Sequence, residues 1–73
     1  MVPQERDDVA RWARLIEAEY LEMPGLRLTQ PQVQRLWGLD SGFCERLLGV
    51  MVDAHVLAKT GQNTYVLATT TRH

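Results

Sequence analysis

The sequence predicts a small, mainly α domain closed by a small antiparallel β-hairpin, and three features predict it. Apolar residues recur at helical spacing through most of the first 54 positions. Capping residues and glycine divide that stretch into three helices. Two β-rich segments then flank a Gly-Gln-Asn turn near the C-terminus. The 73 residues suit one domain spanning 1–73, with a core over about 9–68 and frayed ends at 1–6 and 69–73.

The first helix is expected from Asp7 to Met23, where Val9, Trp12, Ala13, Ile16 and Tyr20 return every three or four residues along one face. Pro24 and Gly25 stop it: proline disfavours helical geometry in the residue before it, and glycine accepts the left-handed turn that ends helices. Leu26 to Leu28 alternate like a very short strand. Thr29 and Gln32 then form a capping box, in which the threonine hydroxyl accepts from an amide three residues on and the glutamine returns the bond. Pro31 sits in the first turn, where its missing N–H costs nothing. Val33, Leu36 and Trp37 form the expected inward stripe, and Gly38 ends this second helix. Asp40 caps a third helix running to about Ala54, with Cys44, Leu47, Leu48 and Met51 facing inward. "HVLAKT" (55–60) and "TYVLAT" (64–69) are hairpin strands joined through Gly61, Gln62 and Asn63.

Composition narrows the function classes. A single cysteine, Cys44, excludes an internal disulfide, and two histidines are too few for a zinc site of ordinary ligand count. Cys44 lies on an inward stripe, as a small buried hydrophobe does. No phosphate-cradling glycine loop, paired metal-binding histidines or nucleophile with a base is present, so the chain is expected to be neither an enzyme nor a cofactor or metal protein. The first residues lack the apolar core of a signal peptide, and the longest run of apolar residues and glycine, Leu47 to Val52, is far short of the ~20 residues of a membrane span. A soluble, cytoplasmic protein is expected. Net charge is -1, unevenly placed: residues 1–26 hold three basic and six acidic side chains, whereas residues 27–73 hold five basic and three acidic. The C-terminal part therefore carries the weak positive field a phosphate backbone would meet.

The order helix, short strand, helix, helix, hairpin resembles a winged helix-turn-helix domain of the small bacterial type over residues 9–68. The residues that carry the resemblance are Thr29 with Gln32, "RLWGLD" from Arg35 to Asp40, the stripe from Cys44 to Met51, and the Gly-x-x-x-Tyr of Gly61 and Tyr65. There are two departures. Gln34 stands four residues before the turn glycine, where a small residue is usual, and His55 stands where glycine usually turns the chain into the wing. Histidine tolerates a positive φ better than most residues.

The resemblance implies binding of double-stranded DNA and a role in bacterial transcription regulation. The third helix would enter the major groove, and the hairpin, or wing, would touch the adjoining backbone or minor groove. Residues 41–50 and 59–64 would then meet DNA. On the outward face of the third helix, Gly42, Arg46, Gly49 and Asp53 are flanked by Glu45 and Val50. Arg46 can donate to a guanine edge or a phosphate, Ser41 to a phosphate beside the helix's first amides, and Glu45 can accept from a cytosine amino group. Gly42 and Gly49 leave bare patches for close approach. Lys59, Thr60, Gln62 and Asn63 offer wing donors, with Arg27 and Arg35 completing a backbone clamp. Phe43 is expected to pack against the second helix or the wing, and Trp12 and Trp37 to lie in the core.

A second, thinner apolar line on the first helix, Leu15, Ala18 and Leu21, is a candidate homodimer face, since a two-fold pair would present two reading helices. The alternative function is a protein-interaction module without significant DNA binding, which the acidic first half and low net charge favour. A continuous positive strip on the third helix and wing would speak for DNA, and an apolar patch around Phe43 and Val50 for a protein partner. A fragment of a larger regulator is the least favoured reading, because the chain starts with methionine and contains a whole unit.

Overall fold

The structure, a computed structural model, describes residues 5–68. Three helices and three strands follow in the order α1 (Glu5–Glu22), β1 (Arg27–Thr29), α2 (Gln30–Trp37), α3 (Ser41–Asp53), β2 (Leu57–Lys59) and β3 (Thr64–Leu67). This layout of three helices and a small antiparallel sheet is compatible with a winged helix. Of the ends expected to fray, 1–4 and 69–73 lie outside the described residues. Glu5 and Arg6 are a correction, since both belong to α1, which starts two residues before the expected Asp7.

The short strand does more than connect. β1 pairs antiparallel with β3, placing Leu28 opposite Tyr65, while β2 pairs with the other side of β3, giving the order β1-β3-β2. The hairpin thus becomes a three-stranded sheet with β3 at its centre.

Packing follows the inward stripes. Ile16 and Tyr20 of α1 meet Val33 of α2, the predicted Cys44, Leu47, Leu48 and Met51 of α3, and Leu57 and Tyr65 of the sheet, all buried. Trp12, Trp37 and Phe43 are half-buried and pack against this cluster, so the two tryptophans flank the core instead of filling it. The Tyr20 hydroxyl donates to the Tyr65 carbonyl at 2.8 Å, a buried bond between α1 and the central strand.

Local chemistry sets the boundaries. Thr29 Oγ1 accepts from the Gln32 amide at 3.3 Å and Gln32 Oε1 accepts from the Thr29 amide at 2.8 Å, completing the capping box. Gly38 takes the left-handed conformation at φ 64°. His55 does the same at φ 62°, with its amide donating to Val52 and the Val56 amide to Met51, so a histidine closes α3 where glycine is usual. Gly25 departs from expectation, since it has no positive φ. Pro24 instead occupies the second position of a turn closed by the Leu26 amide on the Met23 carbonyl at 2.9 Å, a place its fixed φ suits. Asn63, not Gly61, is the left-handed residue of the hairpin, following the turn in which its amide donates to the Thr60 carbonyl.

Leu36 is the clearest correction. It is 60% exposed, while Gln30, Val33, Gln34 and Trp37 form the inward side of α2. The two glutamines bond each other, Gln30 Nε2 donating to Gln34 Oε1 at 3.3 Å, which gives the Gln34 amide a partner at the position where a small residue is usual.

Burial pushes the Tyr20 phenol from 10.0 up to about 12. The unfolded chain releases this proton first, so stability present below pH 10 should fall by about 1.4 kcal/mol per pH unit up to about pH 12. Tyr20→Phe should cost about 1 kcal/mol at neutral pH, through the lost hydrogen bond, and should flatten this alkaline limb. Urea denaturation of both proteins from neutral pH up to about pH 12 checks it; parallel alkaline limbs would refute the assignment.

Candidate nucleic-acid interface

The outward face of α3 is created by its inward one. With Cys44, Leu47, Leu48 and Met51 anchored in the core, the helix turns Ser41, Glu45, Arg46, Gly49, Val50 and Asp53 to solvent, with Gly42 half-buried at its start. A Cβ built at Gly49 would meet nothing within 4 Å, so this stretch of helix is bare and open. Gly42 is different. A Cβ there would sit 3.3 Å from Asp40 Oδ2 and 3.8 Å from Arg46 Nη1, which places the arginine head back over the first turn of α3.

The first amides of α3 are already engaged. Asp40 Oδ2 accepts from Gly42 at 3.0 Å and from Phe43 at 3.2 Å. The helix start thus carries its own carboxylate where the sequence suggests a phosphate, and a phosphate near Ser41 would meet the hydroxyl beside that negative group. Phe43 packs inward on the core, leaving Val50 as the exposed member of the expected Phe43–Val50 patch.

On the wing, Lys59, Gln62 and Asn63 are exposed. Lys59 Nζ lies 5.9 Å from the centre of the Tyr65 ring across the β2–β3 pair, which holds the ammonium over an aromatic face. Thr60 shapes the hairpin: its hydroxyl bonds that of Thr64 at 2.7 Å and accepts from the Gln62 amide at 3.2 Å. Lys59 and Asn63 come together with Thr29, Gln30, Pro31 and Tyr65 around a shallow hollow of about 180 Å³, where the wing meets the start of α2.

The two remaining arginines sit elsewhere. Arg27 is exposed on the edge strand β1, opposite Val66. Arg35 lies on α2 and borders an open groove of about 310 Å³ with Leu28, Gln32 and Leu36. Sequence reasoning misses this groove because it assigns Leu36 to the core; the glutamine pair four residues apart was the available signal.

The candidate dimer residues Leu15, Ala18 and Leu21 are all exposed on α1. Cys44 is wholly buried, and burial pushes its thiol up, which keeps it protonated and unreactive. Among the described residues no group of three or more His, Cys, Asp or Glu side chains could hold a metal ion, and no helix is long and apolar enough to cross a membrane. Comparison of the chain with protein-family models, curated proteins and solved structures returns no match.

The two helical glycines make unequal predictions. Gly49→Ala should raise stability by about 0.5–1 kcal/mol, because the methyl meets nothing and the unfolded chain loses freedom. Gly42→Ala should gain less, since its methyl presses on the capping carboxylate. Denaturant midpoints measure both; equal gains would show that Asp40 yields without cost.

Proposed function

We propose that this chain is a winged-helix DNA-binding protein that lays α3 in the major groove, sets the β2–β3 wing against the backbone and serves in transcription regulation. The observation that carries this reading is the bare outward face of α3, where a Cβ at Gly49 would meet nothing within 4 Å and Arg46 is an exposed cation. A face without side-chain bulk lets a duplex approach closely, and Arg46 supplies a donor fork for a guanine edge or a phosphate. Lys59 and Asn63 supply backbone donors on the wing, and Arg27 and Arg35 reinforce them where the duplex reaches their elements.

A protein-docking role is the second reading, and the groove beside α2 favours it. Leu36 is 60% exposed there, and Leu28 lines the groove with it beside Gln32 and Arg35, so two leucines offer contact to an apolar anchor.

Fluorescence anisotropy with a labelled duplex across a salt series tests the DNA reading. On a duplex selected for tight binding, Arg46→Ala should cost about 1–3 kcal/mol through the lost bidentate contact. Lys59→Ala should weaken binding to all duplexes and reduce the salt slope by about one ion. The absence of any salt-sensitive duplex binding by the folded protein would overturn the reading and move attention to the α2 groove.

A further inference from the structure

The side of α1 turned away from the core is complementary to itself. Ile16 and Tyr20 are buried and Val9, Trp12, Ala13 and Glu17 half-buried, which fixes the inward side. At about 100° per residue, Arg11, Leu15, Ala18 and Glu22 fall within a sector of about 60° on the opposite side. All four are exposed. Their spacings of four, three and four are those of a helix-pairing seam. Leu21, 58% exposed, borders the stripe.

The residue order along this stripe specifies a partner. It runs cation, leucine, alanine, anion, and in the reverse direction it runs anion, alanine, leucine, cation. Two copies of α1 laid antiparallel, about a two-fold axis passing between positions 16 and 17, therefore match at every layer. Leu15 meets the partner's Ala18, a large side chain against a small one, and Arg11 meets the partner's Glu22. Both contacts occur twice, as a two-fold interface requires.

We propose that this protein forms an antiparallel dimer through the Arg11-Leu15-Ala18-Glu22 stripe of α1. Two features of the isolated helix fit this role. Glu22 is the last residue of α1, and no basic residue stands in that last turn, so a negative charge lies where the helix dipole disfavours it. An arginine from the partner relieves that placement. Arg11 is itself held only loosely, 3.6 Å from Asp8 in a solvent-exposed pair that contributes little. The seam uses one stripe of an 18-residue helix from each copy, and a weak, reversible dimer in the micromolar range is the expectation tested below. The association is independent of DNA and leaves α3 and the wing uncovered by the contacts it uses.

Sedimentation equilibrium of the full chain without nucleic acid tests the proposal, so its outcome is separate from that of duplex binding. The wild type should show a micromolar monomer–dimer equilibrium that weakens at high salt. Arg11→Glu and Glu22→Arg each set like charges opposite one another at two symmetric places, and each should weaken the dimer by about tenfold or more. The double variant restores both pairs with their signs exchanged and should recover affinity. Circular dichroism of each variant confirms retained helix, and Arg11→Gln, which introduces no repulsion, should weaken the dimer less than Arg11→Glu. A wild type that stays monomeric at millimolar concentration, or a double variant no better than the singles, would overturn the proposal.

Discussion

The hydrogen bond from the Tyr20 hydroxyl to the Tyr65 carbonyl is the constraint on which the rest of the structure leans. It joins residues 45 apart in sequence and lies wholly inside the protein, where an unpaired phenol or carbonyl would be costly. Its acceptor belongs to β3, the centre of the sheet, so fixing β3 against α1 also fixes β1 and β2 on either side. The Tyr65 ring then carries Lys59 on its face, which ties the position of a wing cation to the same interaction. One contact between a helix and a strand thus links the packing of the core to the position of a wing cation.

The outward surfaces are what remains after these inward commitments. α3 gives four of its thirteen residues to the core and caps both ends within its own neighbourhood, with Asp40 at the start and left-handed His55 just past its end. On its exposed face Gly49 stands open, whereas at Gly42 the cap carboxylate and Arg46 crowd the missing side chain. That local crowding changes the expected chemistry. A helix start already satisfied by its own aspartate contributes little attraction for phosphate, so recognition by α3 would depend on Arg46 and on close approach over Gly49 rather than on the helix dipole.

Much of this is legible in the sequence because local punctuation and tertiary packing agree. Thr29 with Gln32, Asp40 and the Cys44–Met51 stripe each specify one outcome, and the structure follows them. The expectations that fail share a cause: a residue type is assigned its commonest place without the neighbour that decides otherwise. Gly25 reads as a left-handed terminator, yet Pro24 already supplies the turn. Leu36 reads as core, yet on a helix of eight residues the inward side is narrow, and a hydrogen-bonded pair of glutamines takes it beside Val33 and Trp37. The tryptophans read as core on size and position, and they end half-buried because the small interior is filled by Tyr20, Ile16 and the α3 stripe. The joining of β1 to the hairpin has no local signal, because three residues carry too little pattern to name a partner strand.

Low net charge and duplex binding can coexist only if the negative charge stands away from the nucleic acid. In this chain the acidic excess belongs to residues 1–26 and the basic excess to residues 27–73, and α1 turns Glu19 and Glu22 to solvent on its own outer side. A single copy would still present a weak field, since an excess of two positive charges is small against a polyanion. Pairing through α1 would leave the charge balance of each copy unchanged, because every Glu22 it covers is matched by an Arg11, but it would couple two weakly basic faces so that the second engages without a separate encounter. If α3 reads a duplex, such pairing is the means by which a weakly charged face would reach useful affinity, with the acidic helix serving the assembly and not the nucleic acid.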